Sequence, residues 1–251
     1  SGIAAPIISA VTSPTITVVN NCGSSELTAG DFTGTLLWST GETTPVITVT
    51  AAGTYTLTQT VDGCTSDPAN GVAVPKIIPS APVVTVADNC GNTVLTAESF
   101  TGSLLWSTGE TTNSISVSAT GTYTVTQTMN GCTSIAGSGT ASPKIIPSAP
   151  ALVVANNCGN SVLTASDFTG SLLWSTGETT ASIRVTTGGT FTVAQTVNGC
   201  TSDVASGVAE PAAVPSAPIV AVTDNCGSSL LTASGYTGSL LWSTGETTES
   251  I

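Results

Sequence analysis

The 251-residue chain has no histidine and only three basic residues, Lys76, Lys144 and Arg184. Without histidine, the commonest general base and the commonest metal ligand at neutral pH are missing, and a Ser/His/Asp triad is excluded. Without clustered Lys and Arg, we expect neither nucleic acid nor an anionic membrane surface as a partner. No apolar run approaches the roughly 18 residues that span a bilayer, so we expect no direct membrane insertion. The sequence therefore predicts a non-enzymatic protein without cofactor or bound metal.

Charged and aromatic residues are also scarce, at 7% and 4% of the chain. The net charge of −12 comes from sparse acids set against almost no bases. Thr, Ser, Val and Ala are abundant, 26 Gly and 13 Pro interrupt the chain, and no segment shows a sustained helical period. This composition predicts an all-β chain.

One nine-residue segment, Leu-Leu-Trp-Ser-Thr-Gly-Glu-Thr-Thr, recurs unchanged at 36–44, 104–112, 172–180 and 240–248. It contains all the tryptophans, which are 68 residues apart: Trp38, Trp106, Trp174 and Trp242. A fixed period of this kind indicates a tandem array of one small module. We predict the tail of a preceding module at 1–11, three complete modules and a partial fourth. The predicted modules are 12–79, 80–147, 148–215 and 216–251.

Each module follows a proline-punctuated joint, which we expect to be a short, semi-rigid spacer. The joints are 75–82, 143–150 and 211–218. Within module one, residues 54–61 alternate between threonine and larger side chains, the pattern of a half-buried antiparallel strand. The dipeptide Asp62-Gly63 is typical of a tight hairpin turn, and we expect the turn at 39–43 to reverse the chain. Six or seven short strands in one period predict a compact immunoglobulin-like β-sandwich.

The seven cysteines follow the same period, and no spacing among them suggests zinc. The first cysteines are Cys22, Cys90, Cys158 and Cys226; the second, 42 residues later, are Cys64, Cys132 and Cys200. Disulfides in an oxidising, extracytoplasmic compartment are the better interpretation. We expect hairpin topology to bring both cysteines of a module to one end, where the tryptophan packs on their bridge. This predicts Cys22–Cys64, Cys90–Cys132 and Cys158–Cys200, with the partner of Cys226 outside the chain. The alternative crosses each joint, as Cys64–Cys90, Cys132–Cys158 and Cys200–Cys226.

The pattern W-S-x-G-x-T-T, then G-T-Y-T and then G-C, runs in module one from Trp38 to Cys64. It resembles the immunoglobulin-like repeats of large secreted surface proteins and gliding adhesins of Bacteroidota, the SprB type. The resemblance covers the whole chain, although many such repeats lack the first cysteine, here Cys22. It implies export by type IX secretion and display on the bacterial cell surface.

Other recurring polar residues have plain structural interpretations. A lone glutamate among Ser and Thr lacks the converging oxygens that a hard cation needs, so Glu42, Glu110, Glu178 and Glu246 are interpreted as solvated turn residues. Gln59, Gln127 and Gln195 are in phase with the buried face, which predicts amides that bond backbone groups. Thr54, Thr56, Thr58 and Thr60 are interpreted as a solvated sheet surface rather than a ligand platform. The tryptophans are interpreted as buried core rather than as sugar platforms.

Two functions from different classes remain. The leading hypothesis is a non-enzymatic stalk or filament region of a secreted bacterial adhesin, in which modules contact mainly their neighbours. The alternative is a set of glycan- or surface-binding modules whose weak contacts add through multivalency. The partners expected are neighbouring modules, other copies of the chain, or surface glycans.

Overall fold

The computed structural model describes residues 10–251, so the predicted tail at 1–11 lies almost entirely outside the described part. Every regular element in 10–251 is a β-strand. The chain divides into two compact units, 1–143 and 144–251. No part of 10–251 forms a helix long and apolar enough to cross a membrane.

Module one contains seven strands arranged as two facing antiparallel sheets. The strands are β1 (Thr15–Asn21), β2 (Ser24–Gly30), β3 (Thr35–Trp38), β4 (Val46–Val49), β5 (Gly53–Val61), β6 (Cys64–Thr65) and β7 (Ala69–Ala73). The first sheet has the order β1-β2-β4, and in the second β5 lies between β3 and both β6 and β7. Leu27 of the first sheet and Leu36, Trp38 and Leu57 of the second are buried between them. The predicted all-β, immunoglobulin-like sandwich is therefore confirmed.

The turn at 39–43 crosses from one sheet to the other. Its tight geometry comes from Gly41, which has a φ of 96° and donates its N–H to the carbonyl of Trp38 at 2.9 Å. Strand β3, before the turn, pairs with β5, whereas β4, after it, pairs with β2. Trp38 also donates its N–H to the carbonyl of Glu42 at 2.9 Å, so the turn reverses the chain locally, as expected. The chain then bends again at 44–45, and β4 runs in the same direction as β3.

Strand directions define two ends of the sandwich. We call the end where β1 begins the entry end and the end where it finishes the exit end. The parallel bridge between Cys22 and Lys76, just beyond β1 and β7, relates the directions of the two sheets. Strands β1, β3, β4 and β7 therefore run from entry to exit, and β2 and β5 run from exit to entry. The β1–β2 turn is therefore at the exit end and the β5–β6 turn is at the entry end.

The β5–β6 hairpin has the geometry that its sequence predicts. Asp62 and Gly63 have φ values of 49° and 78°, the positive pair that a type I′ turn requires. Beyond β6 the register shifts by one residue, from Thr60↔Thr65 to Leu57↔Ala69. This bulge separates β6 from β7.

Modules two and three repeat this topology strand for strand. Module two contains β8 (Val83–Asp88), β9 (Thr93–Glu98), β10 (Ser103–Trp106), β11 (Ser114–Val117), β12 (Gly121–Met129), β13 (Cys132–Thr133) and β14 (Gly137–Ala141). Module three contains β15 (Ala151–Asn157), β16 (Asn160–Ser166), β17 (Ser171–Trp174), β18 (Ser182–Val185), β19 (Gly189–Val197), β20 (Cys200–Thr201) and β21 (Ala205–Ala209). Each has its own hydrophobic core. The partial fourth module forms one hairpin, β22 (Ile219–Asn225) with β23 (Ser228–Ser234). The residue boundaries of the modules stay predictions.

Candidate functional site: the cross-linked junction between modules

The cysteines of one module lie at its two opposite ends. Cys22 is in the β1–β2 turn at the exit end, and Cys64 follows the β5–β6 turn at the entry end. The bend at 44–45, which follows the turn, explains this separation, because it makes β3 and β4 run in the same direction and β5 therefore ends at the entry end. The prediction that hairpin topology brings both cysteines together fails at this step.

The structure instead joins two modules. Cys22 of module one is bonded to Cys132 of module two, with a Cα–Cα distance of 5.5 Å and a sequence separation of 110 residues. The predicted pairs Cys22–Cys64 and Cys90–Cys132 are therefore wrong, and so is Cys158–Cys200, because Cys158 is a free thiol. The alternative pairs are wrong for the same reason: Cys64, Cys158 and Cys226 are all unbonded.

Burial of the second cysteine depends on the bond. Cys132 is fully buried, whereas Cys64, which has the same flanking residues Gly and Thr, is exposed. The local sequence is the same, so the difference comes from the docking of Cys22 on module two. Cys90 and Cys200 are also disulfide-bonded, and Cys200 is fully buried as well.

The proline joint is bound to the exit end of the module that precedes it. Lys76 donates its N–H to the carbonyl of Asn21 at 2.9 Å and accepts from the N–H of Gly23 at 2.8 Å. In the third module Ala212 makes the same two bonds, to Asn157 and Gly159, at 3.0 and 2.8 Å. The first part of each of these joints is thus held by hydrogen bonds beside the first cysteine and is not a free spacer.

The other end of the joint is held by the buried glutamine of the next module. Gln127 is 2% exposed, and its Nε2 donates to the carbonyl of Ser80 at 2.7 Å. Its Oε1 accepts from the N–H groups of Thr101 and Gly102 at 2.9 and 3.0 Å. Gln59 and Gln195 make the same three bonds in their own modules, where the carbonyls of Thr12, at the start of module one, and Ser148, in the joint 143–150, accept from Nε2. The interpretation of these glutamines as buried amides that satisfy backbone groups is confirmed.

A polar side chain at the end of the first strand was missed by the sequence reasoning. Asn20 Oδ1 accepts from the hydroxyl of Ser25 at 2.6 Å and from the N–H of Val74 at 2.9 Å. Asp88 and Asn156 hold the corresponding positions in modules two and three. The bond fixes the start of the joint to the exit end. A signal existed in the sequence, since an Asn or Asp always precedes the first cysteine by two residues and a Ser or Thr follows it three residues later.

Three of the four tryptophans predicted to be core residues are buried: Trp38, Trp106 and Trp174 are each 2% exposed. Their core clusters contain no cysteine, so the expected packing of indole on a disulfide is absent from these modules. Trp242 is only partly buried, so the prediction that it is a buried core residue is wrong. The described residues contain no counterpart of β5 to cover it, and its side chain lines an open apolar cavity with Val220 and Ala233.

The recurring glutamates and threonines lie at the surface. Glu42, Glu110, Glu178 and Glu246 are exposed, and no group of three potential metal-ligating side chains occurs in 10–251. A hydrogen bond from the Thr244 side chain lowers the pKa of Glu246. Thr54 is exposed and Thr56, Thr58 and Thr60 are half-exposed, consistent with a solvated outer face.

No protein-family model matches the chain, and no curated protein matches its sequence. Among solved structures, the chain is similar to the crystal structure of the selenomethionine-substituted chicken interferon gamma receptor alpha chain. The identity is 10% and the TM-score 0.26, over 52% of this chain and 98% of the receptor chain. The strand pairing described above defines the sandwich.

Proposed function

We propose that the chain is the stalk or filament region of a secreted bacterial cell-surface adhesin, and that it is not an enzyme. The observation that carries the proposal is the disulfide between Cys22 and Cys132, which connects neighbouring modules. A bond within one sandwich would stabilise that module alone, whereas a bond between two modules fixes their connection. Such a bond is of use where the connection itself must resist force.

The remaining parts of the proposal have separate support. Disulfides form and persist in oxidising compartments, which supports an extracellular or secreted protein. Assignment to a Bacteroidota surface protein exported by type IX secretion is supported by the sequence resemblance alone. Neighbouring modules are the partners that the junction supports best, since joint, glutamine and disulfide all connect one module to the next.

A display experiment tests the stalk. The chain is fused between a solid support and a fluorescent reporter, and the distribution of reporter heights is measured. The control is a Gly/Ser linker of equal length, whose root-mean-square span is about 90 Å. A stalk is expected to give a narrower distribution than the linker. A distribution as broad as that of the linker would refute the stalk.

A second candidate function, multivalent surface binding, is favoured by one observation. The outer face of the second sheet carries a recurring exposed leucine among hydroxyl side chains in each complete module. Leu37, Leu105 and Leu173 are 54%, 54% and 59% exposed. A glycan array probed with the folded 251-residue chain tests this candidate. Specific binding that disappears on Leu105→Ser and its equivalents would favour it over the stalk.

A further inference from the structure

The Cys22–Cys132 disulfide closes a covalent loop around most of two modules. The loop contains every strand from β2 to β12, and therefore both tryptophan strands and most of both cores. Only β1 before it, and β13 and β14 after it, lie outside within these modules. The segments outside the loop are short compared with the 110 residues that it spans.

The position of the bond relative to the joint determines how tension would pass. The joint is bound to module one by two backbone hydrogen bonds of Lys76, and to module two by one hydrogen bond from the Gln127 side chain to the carbonyl of Ser80. The disulfide connects the same two module ends, from the β1–β2 turn to the β12–β13 turn. Tension applied to residues on either side of the loop therefore passes from Cys22 to Cys132 through a covalent bond. The hydrogen-bonded sheets inside the loop stay out of that path.

We propose that this disulfide is a length-limiting cross-link, which carries tension past strands β2 to β12 and limits how far the two modules can be extended. The inference rests on the proposed stalk function, and it adds the element that bears the load. The bond has this effect because it joins an early residue of one module to a late residue of the next. A disulfide within each module, of the kind that the sequence first suggests, would leave the joint as the only connection between modules.

Pulling on the intact chain tests the proposal. Azide-bearing amino acids replace Ser13 and Ser142, which are both exposed and lie on either side of the loop, and optical tweezers pull between them. In the oxidised protein, only the segments outside the loop are expected to extend. In Cys22→Ser, about 110 further residues become extensible, which adds about 380 Å at roughly 3.5 Å per residue.

Two further variants show whether the added length comes from loss of this bond. Cys132→Ser is expected to give the same added length as Cys22→Ser, because either change removes the bond. Cys64→Ser is the matched control: Cys64 is unbonded in the same local sequence, so the added length is expected to be zero. Tryptophan fluorescence equal to that of the unmodified chain shows that each variant has folded.

Equal extension of the unmodified chain and folded Cys22→Ser would overturn the proposal, and so would added length in Cys64→Ser. The outcome is separable from that of the stalk. The pulling experiment could show that Cys22 limits the length while the display experiment gives a distribution of reporter heights as broad as that of the linker. That result would refute the stalk but support the cross-link.

Discussion

Replacing Trp106 with alanine is expected to unfold module two and leave its neighbours folded. The indole is 2% exposed and packs in one cluster with Leu95, Leu104 and Val125. Its Nε1 donates to the carbonyl of Thr112 at 2.8 Å, which holds the end of the crossing turn against the core. Trp106→Ala therefore removes the largest core side chain and also leaves one carbonyl without its donor.

The size of the effect follows from burial. Replacing a buried large aromatic residue with alanine costs about 3–5 kcal/mol. A module of one 68-residue period is expected to have a free energy of unfolding of about 3–10 kcal/mol, at roughly 0.05–0.15 kcal/mol per residue. The cost is therefore of the same order as the whole stability of module two.

Hydrogen exchange followed by mass spectrometry resolves this by module. Peptides from β9 and β12 are expected to lose protection in Trp106→Ala, while peptides from β2 and β5 keep theirs. Both observations are needed, because a general loss of protection would indicate that the modules unfold together.

The chain supplies its own control in Trp242, which has the same flanking residues and the same hydrogen bond, from Nε1 to the carbonyl of Thr248 at 2.7 Å. It is only partly buried, so Trp242→Ala is expected to cost less than about 1 kcal/mol. If the two substitutions cost the same, the nine-residue segment is important for a reason other than the core. If Trp106→Ala abolished ligand binding in a folded module, the interpretation as core would also be wrong.

Three further outcomes are expected. The denatured chain, with its free thiols blocked and its disulfides left unreduced, is digested with trypsin. Peptide 145–184 should be released alone, and the two peptides on either side of Lys76 should stay joined. Recovery of peptide 145–184 linked to another peptide would contradict the disulfide assignment. Gln127→Ala should lower the free energy of unfolding of module two by about 3 kcal/mol in urea titrations, because three backbone groups lose their partner. In the same assay, Gly102→Ala should destabilise module two by about 1–3 kcal/mol, because the added Cβ would overlap the carbonyl oxygen of Thr128. The matched control is Gly121→Ala, whose added Cβ would lie 3.8 Å from the Tyr123 ring and which should cost about 1 kcal/mol or less.

Much of the fold could be predicted because its signals are local. The alternation in β5 sets which side chains are buried, and the pair Asp62-Gly63 sets the turn that follows, so both are visible within a few residues. The buried glutamines could be predicted in the same way. Their polar side chains are in phase with the core face, which leaves backbone groups as the natural partners.

The disulfide could not be predicted, because it depends on the direction of every strand before it. The positive φ of Gly41 marks the turn that reverses the chain, but the second bend, at 44–45, restores the strand direction and was not anticipated from the sequence. Without that second bend β4 and β5 would run in the opposite directions, and Cys64 would be placed at the wrong end of the sandwich. One error in the path of the chain therefore changed the predicted pairing from between modules to within them.

The separation of 110 residues between Cys22 and Cys132 also sets an order of assembly. Module one is complete at Ala73, yet the partner of Cys22 is provided only when the β12–β13 turn of the next module has formed. During that interval the folded sandwich holds Cys22 and Cys64 at opposite ends, so the two thiols of one module cannot oxidise each other. The completed fold of each module thus protects its first thiol from the nearest wrong partner until the next module has been synthesised and folded.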